Sequence, residues 1–468
     1  MKLYNTLSKA IEEFKSLNPP KVTMYICGPT VYDFTHIGHL RKYVNDDVLR
    51  RTLSYLGFEV KCVMNITDVG HLTEDCDEGE DKLEKGARRT GKTVDEVIKF
   101  YTDFFFTSTD AFNILRPDVV SKAIEHVSDM IKLIKKLQEK GFTYETSEAL
   151  YFDISKFKSY GKLSGQPLDE KLTCAREDVH TDPGKKHSAD FALWFKKTGR
   201  FANHILHWQS TWGDGFPGWH IECSAMSMKY LGDTIDIHTG GIDHIPIHHE
   251  NEIAQCEGAT EKPFVKYWVH NAFLQVNGQK MSKSLQNFYT VDDVEKQSID
   301  PLAIRFLFLQ THYRQQMNFT WDSAKGAQEA YGRLKQYVIT LRKQTDRTVL
   351  SQEKLEKIDT YRQQFVNSIS NDLQMPQAVA VMWKMLKSNI PSTDKLDLLF
   401  EFDQVFGLKL NEVQETQIPD EIKKLAEERE LARKNNDFQR SDEIRKQISA
   451  RGYIIEDTKG EFTIKKIS

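Results

Sequence analysis

Val22-Thr23-Met24-Tyr25-Ile26-Cys27-Gly28-Pro29 runs into His36-Ile37-Gly38-His39-Leu40, and this passage decides the fold. Six apolar or β-compatible residues that stop at Gly-Pro read as a buried strand (22–27). The chain beyond His39 places Val44, Val48, Leu49, Leu53 and Leu56 at helical spacing. Glu59 to Ile66 reads as a second buried strand. Strand, helix, strand implies a doubly wound, Rossmann-like α/β parallel sheet, whose ligands sit at the carboxyl ends of the strands. A helix N-terminus presents unpaired N–H groups and the positive end of the dipole, a place for phosphate. His36 and His39 lie at i and i+3 and share one face, and Gly38 leaves room for a flat base. By themselves these histidines read more readily as an ordinary surface or core pair.

Lys280-Met281-Ser282-Lys283-Ser284 follows Asn277-Gly278, a hairpin signal. Its lysines suit a leaving pyrophosphate, although a lysine-rich loop alone is also an ordinary exposed turn. Gly240-Gly241-Ile242-Asp243-His244 follows a strand expected at Thr234–Ile237. The glycines permit close backbone approach, and Asp243 is placed to accept from ribose hydroxyls. Together, in this order, the two motifs outline an ATP site that activates a carboxylate. They resemble the HIGH and KMSKS signatures of class I aminoacyl-tRNA synthetases. The expected catalytic residues are His36, His39, Lys280 and Lys283.

The chain has 468 residues, too many for one core, so two to four domains are expected. With 39% apolar and 28% charged residues and a net charge of −4, it is not a basic nucleic-acid coat. Lys9, Glu12, Glu13 and Lys15 interrupt the first twenty residues, which have no apolar core of signal-peptide type. No run has the length of a membrane span. The six cysteines (27, 62, 76, 174, 223 and 256) contain no CxxC, which fits a reduced, cytoplasmic protein.

The expected organisation is a split catalytic core. Residues 1–115 and 201–285 form its halves, and a connective insertion (116–200) separates them. A segment at 286–325, a helical bundle at 326–415 and a small α+β tail at 416–468 follow. Residues 92–115 and 119–140 read as helices. The acidic stretch from Thr73 to Glu84 reads as a solvated loop, with Asp75, Asp77 and Asp81 given no role. The tail reads as helices at Glu421–Gln439 and Ser441–Ala450, then strands at Tyr453–Glu456 and Phe462–Lys465.

Ile247-His248-His249-Glu250-Asn251-Glu252 is dense in metal-ligand types, and His248 and Glu252 share a helix face at i,i+4. Cys27 ends the first strand and Cys223 starts a helix. These four would make a tetrahedral zinc site, but spacing alone does not identify it, and favours buried structural cysteines and a helix-surface histidine pair.

Three stretches resemble cysteinyl-tRNA synthetases specifically: Tyr25-Ile26-Cys27-Gly28-Pro29-Thr30-Val31-Tyr32-Asp33, Gly218-Trp219-His220-Ile221-Glu222-Cys223-Ser224-Ala225-Met226, and His248-His249-Glu250-Asn251-Glu252-Ile253-Ala254-Gln255. The resemblance runs over nearly the whole chain, from Leu3 to the C-terminal segment. It implies a ligase that adenylates L-cysteine with ATP and Mg²⁺ and transfers it to tRNA(Cys). It also implies one zinc per chain on Cys27, Cys223, His248 and Glu252, gripping the substrate thiolate. Thr67, Trp219 and His238 match the amino-acid pocket. Thr30, His36, Gly38, His39, Gly241, Asp243, Lys280 and Lys283 match the ATP site. The family implies a monomer, a tRNA-binding bundle and an anticodon-reading tail. A thiolate-binding metal separates cysteine from serine, where packing one small group gives only about 1–3 kcal/mol. No proofreading domain is then needed.

Two features depart from the family. Val69-Gly70-His71-Leu72 and the acidic stretch lengthen a loop after Asn65-Ile66-Thr67-Asp68. Gln286 stands where the family usually has glycine, and a different backbone path is expected there. The competing readings are a ligase joining activated cysteine to an amino sugar, and a silent RNA-binding homologue.

Overall fold

The computed structural model describes all residues except 71, 75–77, 167–181, 283–284, 346, 348, 416–417, 459–460 and 467–468. At its centre is a five-stranded sheet in the order Val265–Asn271, Ile235–Gly241, Lys21–Ile26, Glu59–Ile66, Val119–Lys122. Every neighbouring pair is parallel. The chain starts in the middle, steps outward twice, then returns to the other side of its first strand. The order therefore reverses between Lys21–Ile26 and Ile235–Gly241, which is where an open α/β sheet leaves a crevice for ligand.

Side chains alternate across the first strand. Met24 and Ile26 enter the core beneath the helix Ile37–Tyr55, with Leu40, Val44 and Val48. Tyr25 and Cys27 enter the opposite core, with Ile221, Cys223, Ile253 and Trp268. That second core belongs to the helices Trp219–Leu231 and His248–Thr260. The strand's last residue, Ile26, thus packs toward the helix Ile37–Tyr55, and Cys27, directly after it, toward the helix pair on the other face.

An antiparallel sheet lies in sequence between the strands of the parallel sheet. Val119–Lys122, read as helix from sequence, is the edge strand of the parallel sheet, and Ala123–His126 is a short 3-10 turn before the helix Val127–Glu139. Four residues were too few for the strand period to stand out. The inserted antiparallel sheet, in the order Trp208–Ser210, Gly213–Pro217, Phe191–Lys196, Ala149–Phe152, Thr143–Glu145, continues past the expected end at 200.

The acidic stretch is not simply a solvated loop. Leu72–Glu74 and Glu78–Asp81 pair antiparallel. Asp81 is buried, caps the helix Lys82–Thr90 through the Glu84 N–H, and meets His204 Nε2 at 3.3 Å. Its acidity conceals a capping residue because the partner, His204, is remote in sequence. Asp75 and Asp77 lie outside the described residues.

Beyond the core, Asn277 (φ 51°) and Gly278 (φ 75°) turn the hairpin that precedes Lys280. Helices Trp321–Arg342, Gln352–Ser370, Met375–Leu386 and Ser392–Phe406 pack onto the first core through Leu334, Phe365, Met382 and Phe402. Arg305 is fully buried at this junction; its Nη2 meets Asp47 Oδ2 at 2.6 Å, and it donates to the carbonyls of Phe406 and Phe112. The tail has a small core of its own, Ile422, Ala426, Ile444, Ile448 and Ile455. Its first helix ends at Lys434 rather than Gln439, because Asn436 takes φ 59° and Asp437 caps the next helix, Phe438–Ala450. The strands Tyr453–Thr458 and Glu461–Lys466 close it as an antiparallel pair. No helix among the described residues is long and apolar enough to cross a membrane.

Candidate active site and metal centre

His36 is the N-cap of the helix Ile37–Tyr55, and its Nδ1 accepts the N–H groups of Gly38 (3.1 Å) and His39 (3.2 Å). Ile37 N–H donates to Tyr289 O at 2.9 Å. The backbone donors expected to meet phosphate are therefore already used. What the helix end offers instead is two stacked imidazoles, with His36 and His39 centroids 3.6 Å apart at 20°. Since Nδ1 of His36 is an acceptor, its proton sits on Nε2. Burial among protein lowers the pKa of both rings, and their mutual repulsion lowers His36 further, so both are neutral at pH 7.

The Lys280 loop closes on this pair. Phe288 meets the His36 ring edge-on at 4.8 Å, and a Cβ at Gly38 would stand 3.5 Å from Met281 Cε. Lys280 is exposed, on a strand end whose carbonyl accepts from Asn287 Nδ2. Lys283 lies outside the described residues. Gln286 keeps the left-handed backbone (φ 53°) that glycine would favour, so the different path expected for it is not taken. Beside it, Asn287 Oδ1 accepts from the Ser282 N–H at 2.7 Å and its Nδ2 donates to Lys280 O at 3.2 Å. Asp243 stands beside His39 and within 4.0 Å of His244. Gly240 is required by protein, since a Cβ there would lie 2.4 Å from His249 Cε1; at Gly241 it would lie 2.1 Å from Asp243 Oδ1. Thr30 and Thr67 bridge the loops after the first two strands.

Across the switch point, Cys27, Cys223 and His248 are all buried, with ligand atoms within 4.8 Å of one another. Cys27 Sγ lies 3.8 Å from His248 Nε2, close to the roughly 3.5 Å separating two ligands of a tetrahedral zinc. Glu252 lies outside that triad but adjoins it: Oε1 is 3.0 Å from His248 Nε2, and Oε2 accepts from His238 Nε2 at 2.9 Å. Oε1 makes no hydrogen bond although fully buried. Two sulfurs, one imidazole and an adjoining buried carboxylate are donor types that fit a zinc ion.

The electrostatics agree. A hydrogen bond from Cys223 lowers the Cys27 thiol well below its ordinary pKa, helped by His244 and His248 against burial. The same bond, with burial, raises Cys223. Burial opposes charge on His248, but Glu252 and Cys27 push its pKa up to about 10. Burial opposes charge on Glu252, but His238 and then His248 hold it below its ordinary value.

Sequence reasoning missed the histidines behind these ligands. His220 Nδ1 lies 2.9 Å from His248 Nδ1, leaving Nε2 to face the sulfurs. His249 Nδ1 lies 2.8 Å from His270 Nε2, and His270 reaches Thr6 Oγ1 at 2.8 Å. His238 stacks on Trp268 at 4.7 Å, and Trp219 covers His248 at 4.3 Å. His220 and His249 sit inside quoted motifs, but no spacing rule pairs them with partners 21 or more residues away.

A parallel sheet with a reversed order, an inserted antiparallel unit and paired His and Lys loops at the crevice define a class I synthetase architecture. Residues 13–329 match the family described as "tRNA synthetases class I (C) catalytic domain". A leucyl-tRNA synthetase from Agrobacterium radiobacter K84, in a ternary complex with tRNA, superposes at TM-score 0.61 with 12% identity, covering 86% of this chain and 85% of that one. A Mycobacterium tuberculosis methionyl-tRNA synthetase with methionyl-adenylate superposes at 0.56 with 12% identity, over 83% and 88%. At that identity the likeness is one of fold.

In sequence, the cysteine–tRNA ligase of Treponema denticola is 43% identical over 100% of both chains. That of Borrelia turicatae is 40% identical over 100% of this chain and 99% of its own. The chain belongs to the cysteine–tRNA ligase family of class I aminoacyl-tRNA synthetases.

Proposed function

We propose that this chain activates L-cysteine as cysteinyl-adenylate and transfers it to the 3′-terminal ribose of tRNA(Cys), with zinc reading the thiolate. The observation that carries this reading is the meeting of Cys27, Cys223 and His248 within 4.8 Å, with Glu252 at its edge. Zinc held by these residues would supply a Lewis acid able to take the substrate sulfur as thiolate, which a serine hydroxyl would not match.

The cysteine carboxylate is ionised at pH 7 and needs no general base. Its oxygen attacks the α-phosphorus of ATP; the bond to the β-phosphate oxygen breaks, and pyrophosphate leaves with the electron pair. His36 and His39, being neutral, donate ring N–H groups to phosphate oxygens. Lys280 and Lys283 balance the charge on the leaving pyrophosphate, and Mg²⁺ accompanies the ATP. Gly38, Gly241, Asp243 and Thr30 cradle the nucleoside, and Thr67, Trp219 and His238 line the amino-acid pocket. A ribose hydroxyl then attacks the activated carbonyl, releasing AMP and a proton. The bundle and the tail hold the tRNA. The protein acts as a cytoplasmic monomer.

The test combines zinc stoichiometry, cysteine- versus serine-dependent pyrophosphate exchange, and charging of bulk tRNA. One zinc, exchange with cysteine alone and charged tRNA support the proposal. Exchange without tRNA charging favours an amino-sugar ligase and overturns it.

A further inference from the structure

Lys42 lies one helical turn beyond His39, and none of the roles above uses it. Its side chain is only 13% exposed, and Nζ pairs with Asp46 Oδ2 at 3.0 Å one turn further on. The same ammonium donates to the backbone carbonyl of Cys27 at 2.6 Å. Asp46 is buried and its Oδ1 accepts from Asn271 Nδ2 at 3.1 Å, at the carboxyl end of a neighbouring strand. Desolvating a lysine costs free energy, and the carbonyl it addresses belongs to a candidate sulfur ligand. The other tethers on this segment come from the sheet side: Cys27 N–H donates to Thr239 O at 3.2 Å, and Gly28 N–H to Asn65 Oδ1 at 2.7 Å. Lys42 supplies the tether from the helix capped by His36.

We infer that Lys42 is a positioning residue that ties Cys27 to the nucleotide-binding helix, so that metal retention and ATP occupancy are coupled. This rests on the zinc and ATP reading above. Lys42 acts through the peptide rather than on the sulfur. It fixes the carbonyl of Cys27, and with it the Cα from which the sulfur reaches the metal. A triphosphate held by His36 and His39 steadies the same helix and hence the same carbonyl. By linkage, metal tightens ATP by the factor with which ATP tightens metal.

The experiment follows zinc transfer from the loaded full-length protein to a chromophoric chelator, with and without saturating Mg·ATP. Lys42→Met, Lys42→Arg and the double variant Lys42→Met/Asp46→Asn are compared; the last leaves no unpaired buried carboxylate. Lys42→Met is expected to raise the zinc dissociation constant about ten- to a hundredfold, as for other groups that orient a metal ligand. It abolishes the slowing of zinc transfer by ATP, and leaves ATP affinity of the metal-free protein within about twofold. Lys42→Arg, which retains a donor, recovers most of the retention. The double variant matches Lys42→Met in zinc loss while keeping the wild-type melting temperature more closely. A wild type that takes up no zinc overturns the metal reading itself. A wild type that holds zinc, beside a folded double variant that holds it equally and still responds to ATP, overturns the Lys42 assignment alone.

Discussion

Cys223→Ser is the sharpest perturbation of the proposed centre. Cys223 is 1% exposed, so serine adds no bulk and opens little space. What changes is the donor, from a soft thiolate to a hydroxyl that stays protonated at pH 7. Structural zinc sites bind with about 10–16 kcal/mol shared over four ligands, so one ligand contributes about 2.5–4 kcal/mol. At 1.4 kcal/mol per decade, zinc retention should fall roughly 100- to 1,000-fold. The remaining triad members are unaltered, and His36 and His39 belong to a different helix, so with metal removed from both proteins ATP affinity stays within about twofold of wild type. Zinc is measured by release to a chelator, ATP by direct titration, and cysteine activation by pyrophosphate exchange, where the KM for cysteine rises steeply. Unchanged zinc retention with unchanged cysteine activation would refute the coordination proposed here.

Arg305→Met leaves Asp47 buried with Arg51, at 2.7 Å, as its remaining ion-pair partner among the described residues, and should cost about 3–5 kcal/mol in denaturant unfolding. Asp68 has its pKa raised by burial to about 6. A carboxyl group raised in the folded state contributes stability below its unfolded pKa and loses it as pH rises through the folded value. Stability should therefore decline from about pH 4 to 6, and Asp68→Asn, which keeps the acceptor for Ile124 N–H, should recover up to about 3 kcal/mol at pH 7.5 in thermal unfolding. Gly28→Ala would place a Cβ 1.7 Å from Asn65 O, a backbone atom, and should leave little folded protein as judged by soluble yield and circular dichroism.

Much was legible in the sequence, because local chemistry determines it. The 22–27 and 59–66 runs read as strands from their β-branched and apolar residues, although Glu59 and Lys61 at the start of the second are exposed, and the helix between them follows from its spacing. Asn277-Gly278 turns a hairpin because those residues accept positive φ. The ligand types at Cys27, Cys223, His248 and Glu252 are visible in their motifs. Tertiary structure alone decided the rest. The short strand Val119–Lys122 exists because a neighbouring strand offers it hydrogen bonds. Asp81 became a buried cap because His204 folds over it. The N–H groups of Gly38 and His39 at the helix start are occupied because the His36 ring turns back onto its own helix. His220, His249 and Lys42 acquired meaning only once distant strands and helices met. Periodicity is a property of neighbours along the chain, whereas a metal centre is a property of neighbours in space, and loop closure across more than two hundred residues leaves no local trace.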